Sequence, residues 1–159
     1  MQMVGRSISI VGTSHALQHH GAMTALKLNS LIHFRFHLIS TAGAAEITLL
    51  AEEFSEYSLQ ISGTDISTVR DVAKHLHLAH LFADPNPGLR IRFDIRTDRD
   101  REKFWLSQLE QRPEEKILFV CGDDHVDSFA SLLRDRGAEV EIVSRGWGRE
   151  VESEGGAPI

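Results

Sequence analysis

The stretch 116–125, KILFVCGDDH, decides the fold. Its five consecutive apolar residues, Ile117 to Cys121, are the mark of a central strand covered on both faces, as in a parallel sheet. Gly122 breaks the run, and His125 follows three residues later. Residues 7–15, SISIVGTSH, repeat the pattern near the other end of the chain. Ile8, Ile10 and Val11 make a short strand, Gly12 ends it, and His15 stands three residues on. In an open α/β sheet, ligands sit beyond the carboxyl ends of the strands. Glycine allows a sharp turn there and a close approach of backbone to ligand, which makes Gly12 and Gly122 candidate ligand- or cofactor-binding positions. An imidazole just past such a turn can bind metal or move protons. Two such turns in one parallel sheet place His15 and His125 on the same edge. One Gly-x-x-His alone carries almost no information. Two, each after a strand and each opening a helix, carry more, against the plainer reading of two polar residues in exposed turns.

Working outward, Thr13-Ser14 offers a side-chain cap to a mostly helical segment from about His15 to Ser40. The segment AEITLLAEE, from Ala45 to Glu53, fits both a helix and a buried strand. Serial order favours the strand, because a parallel sheet needs strand and helix to alternate. Glu56 to Gln60 reads as a short helix. Thr64-Asp65 reads as the cap of an amphipathic helix carrying Ile66, Val69, Val72, Ala73 and Leu76. A very short strand then ends at Asp84-Pro85. Leu89 to Ile95, LRIRFDIR with its flanking Arg96, alternates as an edge strand or extended arm would. The next helix buries Phe104, Trp105 and Leu109 and is stopped by Arg112-Pro113. After His125 a helix runs to Gly137, and Glu139 to Val143 make a last strand. The order predicts an α/β fold: a mostly parallel central sheet of about five strands with helices on both faces. Residues 1–146 are expected as one domain. Residues 147–159, rich in Gly, Glu and Ser, are expected as a disordered tail.

At 159 residues the chain can bury a real core. Its formal net charge of −6 gives no global basic field for nucleic acid, which is not an expected partner. The single cysteine, Cys121, rules out an intrachain disulfide and a Cys-rich zinc site, and its apolar strand marks it as a core residue. No run has the length of a membrane helix or the form of a secretion signal, so a cytoplasmic protein without a membrane partner is expected.

Glu52-Glu53 closes the second strand. A carboxylate there can be a metal ligand or a general base. Neighbouring strand residues point to opposite faces, so a cleft takes one of the two directly. The plainer reading is a solvated helix cap. Asp84 is better read as a turn initiator than as a further site carboxylate. His75, His77 and His80 resemble a zinc motif only loosely, because helical i, i+2 neighbours face apart. His33 and His37 lack the acid of a zincin helix. Arg96, Arg99 and Arg101 could clamp an anion or stabilise an oxyanion, but among Asp98, Asp100 and Glu102 they look first like a self-paired helix start. No G-x-S-x-G elbow, P-loop or G-x-G-x-x-G is present.

The order of these features resembles the Tiki/TraB group, within a superfamily that includes erythromycin-esterase-like and ChaN-like proteins. The matching residues are Gly12 and His15, Glu52 and Glu53, Arg101, then Gly122 and His125. The strongest likeness lies in 100–143. The resemblance implies a polar cleft at the strand ends and hydrolase chemistry: Tiki proteins are regarded as metal-dependent proteases, and erythromycin esterases open a lactone. The expectation is a small hydrolase acting on a small molecule or short peptide. His15, His125 and Glu52 or Glu53 would bind a divalent transition metal (Mn, Co, Fe or Zn) with a position left for water. The remaining Glu would take the water's proton, and Arg101 would steady an anionic substrate group or the oxyanion. A metal-free variant has a His as base and a Glu orienting it. The rival reading is a non-catalytic small-anion-binding or regulatory module on the same fold, dimerising through the 89–95 edge. The segment between Glu53 and Arg101 is shorter than in many relatives, which leaves the cleft open.

Overall fold

Parallel pairing dominates the computed structural model, which describes residues 3–155. Its strands are β1 (Ser7–Thr13), β2 (Leu49–Glu52), β3 (Ala79–Phe82), β4 (Lys116–Gly122) and β5 (Glu139–Trp147). They form one five-stranded sheet in the order β3-β2-β4-β1-β5, with every pair parallel. The helices are α1 (Ala25–Ala44), α2 (Glu56–Ile61), α3 (Thr68–Leu76), α4 (Pro87–Arg92), α5 (Asp98–Glu110), α6 (Val126–Asp135) and α7 (Arg149–Gly155).

The apolar run of β4 explains the layering. Successive side chains alternate between faces. Ile117, Phe119 and Cys121 join the core under α5 and α6, with Trp105, Leu109, Phe129 and Leu133. Leu118 and Val120 join the opposite core under α1 and α3, with Phe34, Leu38, Val69 and Val72. The chain therefore leaves β1 over one face and leaves its neighbour β4 over the other. The two following helices diverge, and a crevice opens at the carboxyl ends of β1 and β4. Register sets Thr13 beside Gly122 and Gly12 beside Cys121, so the two Gly-x-x-His elements run side by side, one residue out of step.

Helix starts follow side-chain capping. Thr24, Ser55, Ser67 and Asn86 each accept a backbone N–H of their own helix, and Thr97 forms a capping box with Asp100. Ser67, not Thr64-Asp65, caps α3; Thr64 Oγ1 accepts from Ile66 N instead. The helix expected from about His15 begins at Ala25, behind a 3₁₀ turn at His15–Leu17. Ser14 makes no side-chain cap there.

Two larger expectations are corrected. Residues 89–95 are not an edge strand. Asn86 caps and Pro87 opens α4, with φ already set for helix, and the alternation leaves Ile91 and Phe93 in solvent rather than on a sheet. The sheet edges are β3 and β5, so dimerisation by strand pairing through 89–95 has no strand to use. Nor are residues 147–155 a disordered tail. Trp147 ends β5, stacks on His37 at 4.7 Å and packs on Phe34 at 5.6 Å. Val151 of α7 is buried in the α1 face core. Aromatic and branched apolar groups within this polar segment found a place to bury. Residues 156–159 of the expected tail lie outside the described residues. No helix among the described residues is long and apolar enough to cross a membrane.

Phe129 is fully buried between Trp105 and Phe119. Phe129→Ala is expected to cost about 3–5 kcal/mol in urea unfolding, with the fold retained. Burial also holds the His37 pKa below its ordinary value, so the folded state disfavours the charged ring. The stability this gives is full above about pH 6.5 and is lost as pH falls from there toward the folded value. Urea midpoints should drop over that window, and His37→Phe should flatten the drop.

Candidate active site

Three strand ends and the helices α5 and α7 meet in a cleft of about 550 Å³, lined by His15, Glu53, Arg101, Gly122 and His125 among others. Glu53 follows β2 directly. Its backbone N–H donates to Val120 O at 2.8 Å, which carries the sheet pairing one residue further and turns the side chain toward the α5 face. The side chain is 1% exposed. Oε1 accepts Gly122 N–H at 2.7 Å, and Oε2 accepts Arg101 Nη2 at 2.5 Å.

Oε2 also faces both imidazoles: His125 Nε2 stands 3.5 Å away and His15 Nε2 4.0 Å away. His15 lies at the mouth with 62% of its side chain exposed, and its Nδ1 bonds Gln18 Oε1 at 2.7 Å. His125 is buried edge-on against Trp105, with Nδ1 at 2.9 Å from Glu102 Oε2. The two turns thus aim both rings at one carboxylate.

Arg101 is held from behind. Its Nε donates to Asp84 Oδ1 at 3.1 Å, an oxygen that also accepts Trp105 Nε1 at 2.8 Å. Arg90 Nη2 donates to Asp84 Oδ2 at 3.0 Å. Burial by itself would lower the Arg101 pKa; the carboxylates of Asp84 and Glu53 outweigh it and hold the guanidinium's pKa well above its ordinary value. Arg101 is therefore the cleft arginine, while Arg99 pairs with Glu102 at 3.8 Å. Burial, with Glu53, Glu102 and Asp123 adding, pushes the Cys121 thiol well up, as suits a core residue.

Glu52 does not join the cleft, which corrects its expected place as metal ligand and catalytic group. One residue before Glu53, it points to the opposite face. There it is fully buried and accepts Ser67 Oγ at 2.6 Å and His80 Nε2 at 2.7 Å. Gly12 is also corrected: it does not border the cleft. A Cβ there would lie 2.4 Å from Asp123 Oδ1 and 2.8 Å from Val126 Cγ2, so its smallness serves packing between the two turns. Gly122 does border the cleft, against Glu53.

A divalent metal would have to share Glu53 with groups that already hold it. Both Glu53 oxygens already accept hydrogen bonds, and the oxygen facing the imidazoles carries the Arg101 guanidinium. A cation at that point would stand against a fixed positive charge anchored by Asp84. Among the described residues no group of three His, Cys, Asp or Glu side chains is arranged to hold a metal ion. The residues as arranged do not fit a resident metal.

Three site residues escaped the sequence reading: Gln18, Glu102 and Asp84 as an anchor. Gln18 lies three residues after His15 on the 3₁₀ turn, and Glu102 is the acid beside Arg101 in a charge-rich run. Only their i+3 and i+1 spacing to a candidate offered a signal. No family model matches this chain, and neither does any curated protein sequence or solved structure.

Arg101→Leu leaves the Glu53 and Asp84 carboxylates buried without their shared cation. It is expected to destabilise by about 3–5 kcal/mol, read by chemical denaturation near neutral pH.

Proposed function

We propose that the chain is a small metal-independent hydrolase of esters, lactones or amides. What carries the reading is the convergence of His15 Nε2 and His125 Nε2 on the oxygen of Glu53 that Arg101 holds. The position of this cluster, at the crevice where the helices after β1 and β4 diverge, supports it. So does the resemblance to Tiki/TraB and erythromycin-esterase-like proteins in Gly122, His15, His125, Glu53 and Arg101.

In this mechanism a water hydrogen-bonds to the imidazoles at the cleft mouth. His15 Nε2 takes one of its protons as the water oxygen bonds to the substrate's carbonyl carbon. Glu53, 4.0 Å away, stabilises the positive charge that develops on the ring. The carbonyl π electrons move onto oxygen, and the fixed charge of Arg101 stabilises that oxyanion. When the carbonyl re-forms, the bond to the leaving oxygen or nitrogen breaks and that atom takes the proton from His15. Water and ester become acid and alcohol, with no net change in the enzyme.

The cleft wall carries Glu53, Asp98, Asp123, Asp124 and Glu152 against Arg101 and Arg149. Arg101 is itself shared by Glu53, Asp84 and Asp98. This balance favours uncharged or cationic substrates and weighs against the small-anion-binding module.

The test is turnover of a panel of p-nitrophenyl esters, lactones and anilides. His15→Ala and His125→Ala should each lower kcat/KM by about 10²–10⁴-fold with the melting curve kept, and chelators should leave the wild-type rate unchanged. Activity lost to a chelator and restored by Mn, Co or Zn would replace this mechanism with the metal-dependent one. No turnover of any acyl substrate would end the hydrolase reading.

A further inference from the structure

The two Gly-x-x-His turns end on rings whose outer nitrogens meet different partners, one neutral and one acidic. Gln18 is fully buried, and its amide has one orientation that satisfies both of its neighbours. Nε2 donates to the backbone oxygen of Glu53 at 3.1 Å. That leaves Oε1 toward His15 Nδ1, at 2.7 Å. An amide oxygen only accepts, so Nδ1 of His15 carries the hydrogen and Nε2 is left with its lone pair. Reversing the amide would set Oε1 against the Glu53 carbonyl oxygen and lose that bond.

Glu102 does the same for His125 from α5. Its Oε2 accepts Ser128 Oγ at 2.7 Å and lies 2.9 Å from His125 Nδ1. Arg99 pairs with the other oxygen at 3.8 Å. A carboxylate in an ion pair offers only acceptors, so His125 Nδ1 also supplies the hydrogen. Both rings then turn an unprotonated Nε2 toward Glu53. A histidine free in water favours the opposite tautomer, with hydrogen on Nε2.

We propose that Gln18 and Glu102 are positioning residues that lock His15 and His125 in one and the same tautomer, with hydrogen on Nδ1 and both Nε2 atoms open to the cleft. The kinetic consequence rests on the hydrolase reading; the tautomers do not. Under that reading, the attacking water donates its two hydrogens to the two Nε2 atoms, which leaves its oxygen lone pairs for the carbonyl carbon. An Nε2–H on either ring would present a donor where an acceptor is required.

The experiment is a long-range ¹H–¹⁵N correlation spectrum of the intact protein labelled in histidine, at about pH 8.5, above the ordinary imidazole range. His15→Gln and His125→Gln assign the two rings. In the wild type both rings should show the Nδ1-protonated pattern. Gln18→Met should move His15 to the Nε2-protonated form and leave His125 unchanged; Gln18→Glu, which keeps an acceptor, should retain the wild-type pattern. Glu102→Met should move only His125. With an ester substrate, Gln18→Met and Glu102→Met should lower kcat at least about tenfold with little change in KM, as loss of a tautomer-fixing partner does elsewhere. An Nε2-protonated His15 or His125 in the wild type overturns the proposal, as does a His15 tautomer indifferent to Gln18→Met. The wild-type spectrum decides even if Glu102→Met fails to fold. Absence of turnover with both rings Nδ1-protonated would remove the hydrolase reading and leave the tautomer assignment standing.

Discussion

One buried carboxylate ties together most of what surrounds the cleft. The Glu53 carboxylate bonds β4 at Gly122 N and α5 at Arg101, while its backbone bonds β4 again at Val120 O and the turn after β1 at Gln18 Nε2. A carboxylate shut away from water is costly unless paired and hydrogen-bonded. Arg101 supplies the charge and Gly122 the backbone donor. Arg101 in turn requires Asp84, which requires Trp105 and Arg90 to satisfy its own oxygens. The polar cluster therefore continues into the apolar core at Trp105, whose ring meets both His125 and Phe129. Stability and the proposed chemistry draw on the same groups.

Layering follows from the same economy of contacts. β4 is apolar on both faces, so helices must cover both. Covering both faces sends α1 and α6 to opposite sides and opens the crevice that the two turns border. Gly12 leaves room for Asp123, whose Oδ1 accepts Gly146 N at 2.8 Å. The turn after β1, the turn after β4 and the end of β5 are thereby fitted to one another, which fixes where His15 and His125 start.

How much was legible in the residues depends on whether a feature was local. The apolar run 117–121 spoke for itself, because strand burial is short-range, whereas the matched glycines marked the strand ends only to within a residue: Gly12 lies inside β1, which runs on to Thr13, and Gly122 is the last residue of β4. The choice between Glu52 and Glu53 needed the phase of β2, which a four-residue strand of uniformly apolar neighbours does not declare. Residues 89–95 alternated convincingly, yet Asn86-Pro87 just upstream had already set helical geometry. Trp147 and Val151 looked like stray apolar residues in a polar tail until α1 offered them a surface. Gln18 and Glu102 were the least visible, since each matters through a partner ring that only the folded chain brings within reach.

One wall of the cleft differs in kind from the rest. His125, Glu53 and Arg101 stand on strand ends and a long helix packed into the core, whereas Arg149 and Glu152 ride on α7. That short helix is fastened by the buried Val151 and by Ser30 Oγ donating to Glu150 Oε1 at 2.5 Å. Arg149 Nε also donates to Asp123 Oδ2 at 3.3 Å, which ties α7 to the turn after β4. The outer wall of the cleft is thus built from contacts between distant parts of the chain, whereas its inner groups start from the strand ends themselves.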